Sequence, residues 1–366
     1  MNISRRTFVK GVTATVGAAS VGVLPGQAAE GDNITNGVPP VAATDGDIYI
    51  PYTQRKGDES IVWFTRDLSA AGLQKIFAKV GNALTGKIAI KLHTGEKNGP
   101  NIIPRPWVQE LIAKNLPGAT IVETNAYYMG DRYTTAQHRD TLKINGWNFA
   151  PVDILDEHGT VMLPVKDGKW FTEMSVGKGL LTYNSLLALT HFKGHTMGGF
   201  GGSDKNIGIG CADGRIGKAM IHTHKGKGQW SITAEEFMER MTESTKATVD
   251  HFSPHIAFIN VLRNMSVSCD CEGVAAQPVV TPNIGIVASL DILAADQASV
   301  DLVMALSEKD RSALAERMSS RHGFRQLTYM KELRMGNDRY RLLDMDNGDT
   351  RILPKNAVAD VKPFTG

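Results

Sequence analysis

The chain has 366 residues, 42% hydrophobic and 21% charged, with 40 Lys+Arg against 38 Asp+Glu. This is the composition of a globular protein, and a formal charge of +2 argues against nucleic acid or an anionic membrane as the main partner. Three cysteines, Cys211, Cys269 and Cys271, are too few and too unevenly spaced for a disulfide framework, so a metal or cofactor is one reason for their presence.

Residues 1–28 read as an export signal. Ser4-Arg5-Arg6-Thr7-Phe8-Val9-Lys10 fits the twin-arginine pattern, a weakly apolar Gly/Ala-rich stretch follows to Val23, and small residues around Ala28 suit cleavage. The apolar stretch is too short and glycine-rich to span a bilayer well. The expectation is a periplasmic or otherwise exported protein, with the twin-arginine translocase as a partner and no membrane span after cleavage. Losing residues 1–28 removes Arg5, Arg6 and Lys10 and no acid, which leaves the mature chain close to neutral.

Residues 29–59 form an extended N-terminal segment with one short strand expected at Ile48-Tyr49-Ile50. Regular structure then begins. Strands are expected at Ile61–Phe64, Ile88–Leu92, Thr120–Glu123 and Val152–Leu155, alternating with helices at Ala70–Leu84, Pro106–Leu116 and Thr134–Asn145. Residues 156–182 are mixed and would make the crossover if there are two lobes. Further strands are expected at Leu186–Leu189, Ile256–Val261 and Ile284–Ala288, with helices at Thr233–Phe252 and Ala294–Leu306. Strand–helix alternation predicts a three-layer α/β domain over 60–306 with a mainly parallel sheet, followed by a helical and β appendage over 307–366.

The stretch His191 to Cys211, HFKGHTMGGFGGSDKNIGIGC, gathers His, Lys and Cys around glycines just beyond an apolar strand. In a parallel sheet, loops after strands share one edge and line a common cleft. His93, Asn125, Tyr128, Arg132, His195, the Cys269-Asp270-Cys271 run, Asp291 and Asp296 also follow strands. Imidazole and thiolate suit nickel, zinc or iron, so His191, His222, Cys269 and Cys271 are candidate metal ligands. Arg132, Lys205 and amides of the glycine stretch would hold an anion, with His195 as acid or base. Gly198, Gly199, Gly201, Gly202, Lys205, Asn206 and Asn125 are candidate cofactor-binding residues. Cys269 and Cys271 are expected beside this cleft without a bond to each other, because a Cys-x-Cys bridge closes a small strained ring. Either could pair with Cys211.

Lys91-Leu92-His93-Thr94-Gly95-Glu96, the Thr124-Asn125 to Arg132 loop, His191 to Cys211, Cys269-Asp270-Cys271 and Ile284 to Asp301 together resemble the domain of unknown function 362 family. Many members carry an iron–sulfur label because they append a ferredoxin-like module. This chain has no such 4Fe-4S motif, so the label does not transfer. The glycine stretch is similar, more distantly, to the signature of nickel-pincer lactate racemases. That resemblance implies an acid/base role for His195, a cofactor anchor at Lys205 and a metal ligand at His222 or His224. The sequence departs from it after Lys205, at Asn206-Ile207-Gly208-Ile209-Gly210.

Two readings follow. The first is a metal- or cofactor-dependent enzyme acting on a small polar or anionic substrate, racemase/epimerase-like or redox. The second is a non-enzymatic metal- or cofactor-binding protein that serves a periplasmic redox partner.

Overall fold

The structure, a computed structural model, describes residues 49–365; the export signal expected over 1–28 lies outside them. The strands are β1 (Ser60–Thr65), β2 (Ile88–Lys91), β3 (Thr120–Glu123), β4 (Val152–Ile154), β5 (Thr160–Pro164), β6 (Glu173–Gly177) and β7 (Ser185–His191). After them come β8 (Lys193–His195), β9 (Gly199–Gly201), β10 (Ile256–Leu262), β11 (Gly285–Ser289), β12 (Tyr340–Asp344) and β13 (Thr350–Ile352). The helices are α1 (Ala70–Phe77), α2 (Arg105–Asn115), α3 (Thr135–Ile144), α4 (Ser203–Gly210) and α5 (Ile216–His222), then α6 (Ala234–Phe252), α7 (Ile292–Met304), α8 (Glu308–Ser320), α9 (Arg325–Glu332) and the single turn α10 (Pro354–Ala357).

Nine strands form one sheet in the order β13-β12-β1-β11-β10-β7-β2-β3-β4. Only β11 and β13 run against the rest, so the sheet is mainly parallel. Both faces are covered, which is why the strands read as continuous apolar runs. Along β10, Ala257, Ile259 and Val261 join one core with Leu73 and Ile76 of α1 and Val108 and Leu111 of α2. Ile256, Phe258 and Leu262 join the other, with Ile207 of α4, Met241 of α6 and Leu293 of α7. The result is the three-layer α/β architecture expected. None of the described helices is long and apolar enough to cross a membrane.

Several local expectations are corrected. Tyr49 and Ile50 form no strand. That segment is fastened by side chains, with the Tyr49 hydroxyl donating to Asp301 at 2.9 Å and Arg55 paired with the same carboxylate at 2.6 Å. Helix α1 stops at Phe77, short of Leu84. A poor helix former, Gly81, follows, and a Cβ there would lie 2.6 Å from the Phe77 ring. Helix α6 starts at Ala234, with Thr233 at its N-cap making no side-chain capping bond. Residues 156–182 hold the β5–β6 hairpin and a 3-10 turn. The segment 307–366 contributes β12 and β13 to the main sheet, with β12 parallel to β1. Because β11 is reversed, the loop after it emerges at the opposite edge. There Asp291 accepts from Ser60 at the start of β1, at 2.6 Å, away from the expected cleft.

Candidate metal centre

The His191–Cys211 stretch is ordered into a hairpin and a helix. Strand β8 pairs with β9, His195 opposite Gly199 and Lys193 opposite Gly201, and α4 starts at Ser203. Small residues make this possible. A Cβ on Gly194 would fall 2.3 Å from the Val267 carbonyl, and Gly199 has φ +73 with Gly323 pressed against it. The Gly194 amide donates to Ser266 at 2.8 Å, which lays β8 along the segment leading to Cys269. Hence the two parts of the chain meet.

His195, Cys269 and Cys271 converge, with one ligand atom from each lying within 4.8 Å of the others. The Lys205 ammonium donates to the Cys269 sulfur at 3.4 Å, and the Cys271 amide donates to it at 3.3 Å. The imidazoles of His93 and His195 also flank this thiol. Burial alone would raise the Cys269 thiol, but Cys271, Lys205 and His195 outweigh it and pull it well below its ordinary value. Cys271 goes the other way, raised by its bond to Cys269 and then by burial. Burial lowers His93 and His195, with Arg132 acting on the first and Lys205 on the second. All three cysteines are free. Cys211 is a fully buried core residue, pushed up to about 12 by burial.

Hydrogen bonds fix the imidazoles. His191 faces acceptors with both nitrogens, Asp270 at 2.9 Å and the Arg263 carbonyl at 2.6 Å, so neither nitrogen is left to bind a metal. It ties the Cys269-Asp270-Cys271 run to β7, and Lys193 reinforces the tie at 3.0 Å from Asp270. His195 Nδ1 accepts the Gly198 amide at 2.8 Å, which leaves Nε2 as its other edge. His93 Nδ1 accepts the Gly95 amide in the same way at 2.9 Å. His222 is the reverse. Its Nδ1–H donates to the Lys218 carbonyl at 2.7 Å, so in the neutral ring Nε2 is a lone pair. Burial pushes His222 down to about 3, which keeps it neutral.

Other expected residues are internally engaged. Arg132 pairs with Glu96 at 2.6 Å and lies 3.7 Å from Glu123. Asn206 bonds Lys91, both its backbone and its ammonium, and Thr190. Asn125 is held by Asp156 and Thr135. Of the glycines, the Gly198 amide goes to His195, Gly199 and Gly201 sit in β9, and Gly202 caps α4. His224 lies 3.5 Å from Glu236 on the half-exposed flank.

Sequence reasoning missed one buried network at this edge. Lys91 pairs with Glu123 at 2.9 Å, and Thr94 donates to Glu123 through its amide and its hydroxyl. The available signal was a charge at the last position of each apolar strand, Lys91 in β2 and Glu123 in β3.

Residues 88–301, more than half of the chain, match the family described as a domain of unknown function (DUF362), and the chain belongs to that family. No curated protein matches it. Among solved structures, the lactate racemase apoprotein from Thermoanaerobacterium thermosaccharolyticum aligns at 13% identity and a TM-score of 0.35, over 78% of this chain and 82% of that one. A protein from Thermotoga maritima aligns at 11% identity and a TM-score of 0.31, over 53% of this chain and 50% of that one. Similarities of this size carry no argument about chemistry.

Proposed function

We propose that this chain is an exported, metal- or cofactor-dependent enzyme acting on a small polar or anionic substrate, by racemase/epimerase-like or redox chemistry. The observation that carries the proposal is the convergence of His195, Cys269 and Cys271 beside the Lys205 ammonium, whose partner is the Cys269 sulfur and not a carboxylate. Two sulfurs and an imidazole suit a soft or borderline transition metal such as nickel, zinc or iron. The thiols fit such an ion directly. The imidazole fits through Nε2 once its proton moves to Nδ1, which gives up the bond from the Gly198 amide. Three protein donors leave a position open, as catalytic metal sites do. When bound, the ion would supply Lewis-acid polarisation.

Around that position the chain's own groups divide the work. Lys205 has no salt bridge to a carboxylate among the described residues, so it is the cation available to a substrate's negative group. Neutral His93 can pass or hold a proton at Nε2, while His195 gives its Nε2 to the metal. Arg132, already paired with Glu96, supports the loop after β3 and leaves anion binding to Lys205. The alternative, a non-enzymatic metal or cofactor carrier, draws support from this same saturation of Arg132, Asn125 and Asn206, which leaves few groups for substrate.

Elemental analysis and X-ray absorption on protein purified from its own export route separate the two. The enzyme reading expects about one metal per chain with two sulfur ligands and an exchangeable water. Four fixed protein ligands would favour the carrier, and protein with neither metal nor bound cofactor would remove both. The export part has its own test. Replacing Arg5 and Arg6 with Lys should leave precursor in the cytoplasm, and normal export of that variant ends the twin-arginine reading.

A further inference from the structure

We propose that Cys269 and Cys271 form a thiol–disulfide exchange couple that trades electrons with small disulfides, Cys271 being the sulfur attacked and Cys269 the sulfur that leaves. The inference rests on the redox arm of the reading above and names its redox group. The two sulfurs lie within 4.8 Å of one another. The Cys269 side chain folds back over the turn, so that its sulfur accepts the Cys271 amide at 3.3 Å. Both are free thiols in the structure, and a bridge between them would close a small, strained ring. Strained and exposed bridges are the labile ones, suited to exchange and unsuited to a permanent clamp.

The surroundings give the two sulfurs different parts. Cys269 is only 1% exposed, whereas Cys271 is half-buried. Cys271 stands in the 3-10 turn Asp270–Ala275, where Val274 is 75% exposed, so the turn lies at the surface. A reagent from solvent therefore meets Cys271 first. On the buried side, the Lys205 ammonium lies 3.4 Å from the Cys269 sulfur. Together with the Cys271 amide, it receives the negative charge that gathers on Cys269 when the bridge opens, and a stabilised sulfur leaves faster. Oxidation runs along the reverse route. The Cys271 sulfur attacks a small disulfide, forming a mixed disulfide and releasing one small thiol. The Cys269 sulfur then attacks the Cys271 sulfur and releases the second. The two protein thiols give up two electrons and two protons, and one small disulfide becomes two small thiols. Cys211, fully buried in the core, takes no part. Because the bridge consumes both sulfurs, it and a bound metal exclude each other.

The test uses the full chain freed of metal by a chelator, with oxidised glutathione as the probe and intact mass and peptide mapping as readouts. The wild-type mass should fall by two hydrogens, with the bridge mapping to Cys269 and Cys271, and dithiothreitol should restore it. Cys269→Ser should keep one glutathione on Cys271, whereas Cys271→Ser should take none on Cys269. The wild-type arm needs no variant to fold. Chain first equilibrated with zinc should not form the bridge. A glutathione adduct that persists in the wild type, a bridge to Cys211, or equal adducts in the two variants overturns the proposal. Zinc uptake by a chain that forms no bridge when freed of metal overturns it while leaving the metal reading intact. A reversible bridge that forms whether or not zinc is present removes these sulfurs from the metal reading and keeps the exchange couple.

Discussion

Two clusters of buried charge lie side by side at the same edge of the sheet, and they are built on opposite terms. In the first, Lys91 faces Glu123, Arg132 faces Glu96 and Glu123, and Thr94 fills the remaining lone pairs of Glu123. Every charge there has an opposite, and the cluster is closed. In the second, the Lys205 ammonium faces only a sulfur, Cys271 is partly exposed, and three metal-competent atoms crowd together. Burial and charge alone do not separate a structural network from a reactive pocket. What separates them is the chemistry of the partners: carboxylates close the first cluster, whereas the sulfur that balances Lys205 in the second is itself a metal-competent atom.

That contrast is open to attack, most forcefully in the closed cluster. Lys91→Met strips Glu123 of its nearest cation, and denaturant melts should show a loss of roughly 3–5 kcal/mol. A loss below about 1 kcal/mol would mean that the network is not structural. Asp204 of α4 sharpens the point, as a buried carboxyl with neither cation nor opening: Thr242 donates to one oxygen at 2.8 Å and the other has no partner. Burial raises this carboxyl from 3.8 to about 7, opposed by the nearby Thr245 and Thr242 hydroxyls and reinforced by Asp296. A folded value above the unfolded one confers stability that is complete below about pH 4 and lost as pH rises through about 7. Asp204→Asn should therefore exceed wild type by up to roughly 4 kcal/mol at pH 8 and match it near pH 4. Melts that show no such divergence remove the raised carboxyl from the account. The smallest expected effect on stability belongs to the open pocket. Cys269→Ser keeps an oxygen to accept the Cys271 amide, so stability should change by about 1 kcal/mol or less while bound metal falls away. Metal retained at the wild-type level would exclude Cys269 as a ligand.

Much of the scaffold could be read directly. Strand β3 runs over Thr120–Glu123 as expected, and α3 is capped at Thr134 by a capping box closed by Gln137. Apolar periodicity and caps are local, so they survive in one dimension. Strand direction is not local. The reversal of β11 depends on how its neighbours pair, and it carried Asp291 out of the cleft. The glycine stretch misled for another reason. Its residues have little strand or helix preference, yet close backbone approach at Gly194 and Gly199 turns them into a hairpin. At the site, residue type alone singled out His191, His195, Cys269 and Cys271. Only the hydrogen-bond partners revealed that His191 faces an acceptor at each nitrogen and that His222 keeps a lone pair.

The hairpin that aims His195 is gripped from outside the family domain. Gln326 of α9 donates to the carbonyl of Gly198 at 2.6 Å and to that of Phe200 at 3.2 Å, while Gly323 packs on Gly199. The family match ends at residue 301, so the grip belongs to sequence that relatives need not share. Two descendants of one ancestor can therefore inherit the same ligands and drift apart in reactivity through their tails alone. For an engineer, Gln326 is a dial on His195 that can be turned without touching a single donor atom.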